Sequence, residues 1–90
     1  MLRITVQEEA NSIAMVLEGR LAGEWVSELR SVWTDLQTRQ KPLTVTLTEM
    51  SSLDRDGQAL LIDIHANGGV LRGSGLTARG VIEKITGKPA

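Results

Sequence analysis

Ser51-Ser52-Leu53-Asp54-Arg55-Asp56-Gly57-Gln58-Ala59-Leu60-Leu61 is the stretch on which the reading of the fold turns. Just before it, Leu43, Val45 and Leu47 alternate with Thr44, Thr46 and Thr48, the period-two pattern of a strand rich in β-branched residues. A short polar loop follows, and Asp-x-Asp-Gly then opens an amphipathic helix, expected from about Gly57 to Ala66, that buries Leu60, Leu61 and Ile64. Two carboxylates therefore sit where the first N–H groups of a new helix lack intrahelical partners, at the end of the helix that attracts negative charge. Asp54 or Asp56 is expected to cap that helix.

The same strand–helix alternation extends both ways. Leu2, Ile4 and Val6 alternate with Arg3, Thr5 and Gln7 in a half-buried strand, and Ile13 to Leu17 reads as a more central one. Gly19 and Gly23 bracket a short connection, Arg20-Leu21-Ala22. From Glu24 the period changes: Trp25, Val26, Leu29, Val32, Trp33 and Leu36 form one wide apolar stripe on a helix expected to end by about Thr38. Asn67-Gly68-Gly69 stops the second helix, Val70 and Leu71 mark a fourth short strand, and a last helix from Leu76 or Thr77 carries Val81, Ile82 and Ile85 to about Gly87, before Pro89.

The order β-β-α-β-α-β-α predicts an α/β domain spanning residues 1–90, with a four-stranded mixed sheet and three helices mainly on one face. Crossovers around the helices make neighbouring strands parallel, with the opening pair antiparallel or mixed.

Bulk composition removes several functions. The 90 residues are 41% apolar and 23% charged, with a formal net charge of −1, so neither disorder nor a membrane-embedded chain is expected. The longest apolar runs, Ile13 to Leu17 and Ala59 to Ile62, are far short of a span, so no direct membrane insertion is expected. Met1-Leu2-Arg3 leads straight into a strand with no signal-peptide pattern, and there is no cysteine; a cytoplasmic protein is expected. Phe and Tyr are missing and no basic cluster exceeds two neighbours, which argues against nucleic-acid binding.

Catalysis is not indicated. Asp54 and Asp56 have no nucleophile, phosphate loop or metal set beside them, and Gly73-x-Gly75 lacks the rest of a dinucleotide fingerprint. His65 is the single histidine and reads as a solvated helix-end residue, with no metal or cofactor expected. Trp25 and Trp33, eight residues apart on one helix, read as packing residues.

Taken in order, these features resemble the STAS family, the domain of bacterial anti-sigma factor antagonists. Carrying the resemblance are the two opening strands, Leu17-Glu18-Gly19-Arg20-Leu21, the long first helix, the segment Val45 to Leu61, and Gly69-Val70-Leu71. The specific part is Leu53-Asp54-Arg55-Asp56-Gly57, where the family has an apolar residue, then Asp-Ser-Ser-Gly or Asp-Ser-Ala-Gly. The resemblance implies a non-enzymatic protein-interaction module that regulates transcription as an anti-anti-sigma factor. Its partner surface would comprise Ser51, Ser52, Asp54, Arg55, Asp56, Gly57 and Gln58. The implied partner is an anti-sigma factor or a related histidine-kinase-like ATPase domain. In regulatory members the residue before the Gly is a phosphorylated Ser or Thr; here that position holds Asp56, which has no hydroxyl to accept a phosphoryl group. Asp56 would imitate phosphoserine in sign and only partly in magnitude. Thr46 stands roughly where the family tends to have an Asp. Two alternatives remain: a cytoplasmic subunit of an ABC-type lipid-transport complex, and a small-ligand or nucleotide-sensing domain using the same loop. The missing cluster of phosphate-binding Lys or Arg argues against the second.

Overall fold

A computed structural model describes residues 1–87 of the chain. Its elements run β1 (Leu2–Glu8), β2 (Ile13–Leu21), α1 (Glu24–Gln37), β3 (Leu43–Leu53), α2 (Arg55–Ala66), β4 (Val70–Gly73) and α3 (Leu76–Thr86). The four strands lie side by side in sequence order; β1 and β2 are antiparallel, while β2–β3 and β3–β4 are parallel. This is the mixed four-stranded sheet with three helices that the alternating periodicities predict. Pro89, expected just beyond the last helix, lies outside the described residues.

The pleat explains why the helices share one face. Met15 and Leu17 of β2 stand beside Val45 and Leu47 of β3 in the parallel register, and Val45 stands beside Leu71 of β4. These residues point to one side and are buried against Val26, Leu29, Trp33 and Leu36 of α1, Leu60, Leu61 and Ile64 of α2, and Ala78 and Ile82 of α3. Trp25 and Val32 sit half-buried on the margin of this single core. The alternate residues, among them Thr5, Val16, Thr44, Thr46 and Arg72, are half-buried or exposed on the opposite, open face. Burying each large core side chain contributes about 1.5–3 kcal/mol before entropy is set against it.

Two expectations need correcting, and one distortion accounts for both. The strand before the decisive segment does not end near Thr48: β3 continues to Leu53, so Ser51 and Ser52 are strand residues, not loop residues. Likewise β2 runs through Gly19 to Leu21, and Arg20-Leu21 belongs to the strand rather than to a connection. The pairing steps from Glu18↔Thr48 to Gly19↔Met50 and Arg20↔Ser52, leaving Glu49 and Ser51 as extra residues on β3. Glu49 takes a left-handed backbone (φ 45°) and Gly19 a φ of 101°. These bulges bend the ladder without ending it, and the polar residues they carry imitate a loop in the sequence.

Candidate functional site

With β3 extended to Leu53, a single residue, Asp54, connects it to α2. Asp54 is extended (φ −93°, ψ −179°) and half-buried, and its Oδ1 accepts the Gly57 N–H at 2.7 Å. Its Oδ2 accepts the N–H of Gly23 at 2.9 Å. Gly23 is the residue that precedes α1. One carboxylate thus ties together the starts of both central helices, while the Asp54 N–H itself donates to the Leu21 carbonyl at 3.3 Å. The Gly23 and Gly57 N–H groups favour the ionised form and hold the Asp54 carboxyl below its usual range.

Gly57 is buried in the first turn of α2, directly against Leu21 and Leu53. Asp56, by contrast, is exposed, and its side chain makes no hydrogen bond or ion pair among the described residues. The helix is capped by Asp54 alone. The reading of Asp56 as a cap is therefore corrected: its position in the first turn points its carboxylate to solvent, where it adds charge near the helix start but no bond to it.

The seven candidate residues divide by direction. Asp54 and Gly57 belong to the tie between the helices. Asp56 lies seven residues before Asp63, on the same flank of α2, and Asp63 accepts from Arg30 of α1 at 3.2 Å, so this flank faces α1. Gln58 lies on the other flank. There, with Ser51 and Ser52, it lines an open groove of about 540 Å³ whose far wall is α3, including Leu76, Val81 and Lys84. Arg55 is exposed at the first turn. The site thus has two faces rather than one continuous loop.

The contribution of α3 was not anticipated. Leu76 is 90% exposed at the first position of that helix, an apolar residue with no core to fill. The available sequence signal was its place directly after Gly73-Ser74-Gly75, outside the period of Val81 and Ile82.

Among the described residues no three His, Asp or Glu side chains come together as metal ligands. His65 is exposed in the last turn of α2. No helix among the described residues is long and apolar enough to cross a membrane.

At the opposite end of the sheet, Glu8 accepts from Lys41 Nζ at 2.8 Å and pairs with Arg39 Nε at 3.6 Å. The Lys41 hydrogen bond, reinforced by the charges of Lys41 and Arg39, holds the Glu8 carboxyl low as well. A group whose folded pKa is depressed adds stability that is whole above its unfolded value and is lost as pH falls through the folded one. Unfolded Asp and Glu titrate near 3.9 and 4.3. The melting temperature is therefore expected to hold from about pH 7 to 5 and to drop as the pH is taken below about 4. In Asp54→Asn the remaining oxygen still serves Gly57, but the amide nitrogen cannot accept the Gly23 N–H. That variant should melt lower at pH 7, and its deficit should narrow in acid; a deficit that stays constant down to pH 3 would rule out the carboxylate tie as its source.

No family model matches the sequence, and no curated protein matches it either.

Proposed function

We propose that this chain is a non-enzymatic interaction module of the anti-sigma factor antagonist kind, with Asp56 standing permanently where regulated members carry a phosphorylatable hydroxyl. The observation that carries this reading is the division of labour between two carboxylates two residues apart. Asp54 does all the capping, through 2.7 and 2.9 Å bonds. Asp56 is left exposed, with no bond among the described residues that would account for its charge. A carboxylate with no internal task, at the position the resemblance assigns to the regulatory residue, is suited to being read by a partner. The partner would be an anti-sigma factor or a histidine-kinase-like ATPase domain, and the regulated step would be release of a sigma factor.

Affinity capture with the native chain, followed by mass spectrometry, identifies the partner. Calorimetry with that partner then tests Asp56. Asp56→Ser is expected to bind more tightly than the native chain and to become a substrate for a serine kinase of the anti-sigma type. Its melting temperature should stay within about 3 °C of native, as for a surface change that breaks no bond. Unchanged affinity and no phosphate incorporation at position 56 would defeat the reading. Capture of an ABC permease or its ATPase in place of a kinase-like domain would instead favour a transport-complex subunit.

A further inference from the structure

The two edges of the sheet are built differently. β4 is only four residues long and ends at Gly73, and a short edge strand is a common protection against pairing with another chain. β1 has seven residues, pairs with β2 without a bulge from Leu2 to Glu8, and contains neither proline nor a left-handed residue. Its middle, Ile4-Thr5-Val6, carries no charge.

Hydrogen-bond parity shows which groups of β1 face outward. Arg20 N donates to Met1 O at 2.9 Å, which makes Met1 and Arg20 a hydrogen-bonded pair. Such pairs alternate along an antiparallel ladder. Arg3, Thr5 and Gln7 therefore bond to β2, while Leu2, Ile4, Val6 and Glu8 direct N–H and C=O away from the sheet. The same residues carry the side chains of the helix-covered face, and there the cover is incomplete: Leu2 is buried, Ile4 is half-buried, and Val6 is 39% exposed.

The neighbouring flank of α1 is also under-covered. Trp25 and Val32 lie seven residues apart on α1 and pack against the margin of the core. Arg30, on the other flank, reaches α2. Trp25 and Val32 are half-buried, so the helical layer stops short of the sheet edge.

We propose that β1 pairs antiparallel with β1 of a second copy about a two-fold axis through Thr5, joining two domains in one eight-stranded sheet. A two-fold axis normal to the sheet sets residues of the same face opposite each other. About Thr5, Ile4 meets Val6 of the second copy twice, through the outward backbone groups, and Thr5 meets its own copy on the open face. Arg3 meets Gln7, so no like charges oppose, and a net charge of −1 gives little repulsion between copies. Leu2 and Glu8 meet at the ends, where Glu8 stays with Lys41 and Arg39. Register, apolar pairing and backbone bonds are thus satisfied together by the strand's own sequence. A ladder about 24 Å long buries on the order of 800 Å² in total, below the size of tight interfaces, so dimerisation depends on concentration.

The chain has no cysteine, which makes the test direct. Across the axis Thr5 and its copy form a non-hydrogen-bonded pair with Cα atoms about 4.5 Å apart, within disulfide range. Thr5→Cys is expected to oxidise to a covalent dimer, and Ser27→Cys, exposed on α1, is not. Sedimentation of the native chain should show the mass rising from 9.8 kDa toward twice that value between about 10 µM and 1 mM. Val6→Lys, at a site already exposed, should move this rise at least tenfold higher in concentration with an unchanged circular dichroism spectrum. A chain that stays at 9.8 kDa throughout overturns the proposal. So does a dimer that survives Val6→Lys while Thr5→Cys cross-links no faster than Ser27→Cys.

Discussion

Leu29→Ala should lower stability by about 2–5 kcal/mol, measured as a shift of the denaturation midpoint at unchanged slope. Leu29 is 0% exposed and sits in the middle of the buried stripe of α1, between Val26 and Trp33. Truncation removes the burial of its branched side chain and leaves a cavity that helix and sheet close only partly. The effect belongs toward the upper part of that range, because Leu29 faces the centre of the sheet rather than a margin able to relax. Val32→Ala provides the internal comparison. Val32 is half-buried and smaller, so its loss should be clearly less. Equal effects at the two positions would mean that the stripe faces the sheet at a different angle.

That contrast also shows what the sequence makes legible. The period of Trp25, Val26, Leu29, Val32, Trp33 and Leu36 finds α1 and its inner face, because a helix with one buried side must repeat its apolar residues at 3.6. It does not rank Val26 above Trp25 or Trp33 above Val32, since that depends on where the helix lies across the sheet. The strand order follows from the same logic: parallel strands joined through helices leave few arrangements once β1 and β2 form a hairpin. The reach of β3 was not legible. Glu49, Ser51 and Ser52 are polar, and polarity between a strand and a helix normally marks a loop. Only the partner strand, with Gly19 able to take φ 101°, shows that these residues continue the ladder across two bulges.

At the site, motif order placed the helix start within two residues, at about Gly57 where α2 begins at Arg55, but could not divide the work between Asp54 and Asp56. Both are acids beside a glycine, and either could cap. The choice falls to Asp54 because its side chain can also reach Gly23, thirty-one residues away in sequence, which no local pattern encodes. The groove wall supplied by α3 is long-range for the same reason. Leu76 is an ordinary apolar residue in the sequence and becomes informative only when found 90% exposed beside Gln58 and Ser52.

Gly57→Ala is expected to be the most damaging small substitution at the site, although local propensity argues the other way. An alanine in the first turn of a helix gains up to about 1 kcal/mol over glycine. Here a Cβ would fall far inside van der Waals contact of the Leu21 carbonyl oxygen, with Leu21 Cγ at 3.0 Å and Leu53 Cδ1 at 3.1 Å. The side chains could yield slightly, but the carbonyl cannot, because it accepts the Asp54 N–H and belongs to the end of β2. Relief must come from lifting α2 off the sheet end, which pulls on the Asp54 bonds to both Gly57 and Gly23. Overpacking of this kind costs about 1–3 kcal/mol, enough to outweigh the gain in propensity. Thermal unfolding of Gly57→Ala, alone and combined with Asp54→Asn, tests the coupling. If the clash acts by breaking the tie between the helices, the double variant should lose clearly less than the sum of the singles, since the second change finds the tie already broken. Additive losses would place the clash and the tie in separate parts of the molecule, and a stabilised Gly57→Ala would mean that α2 sits farther from β2 than the close approach to Leu21 requires.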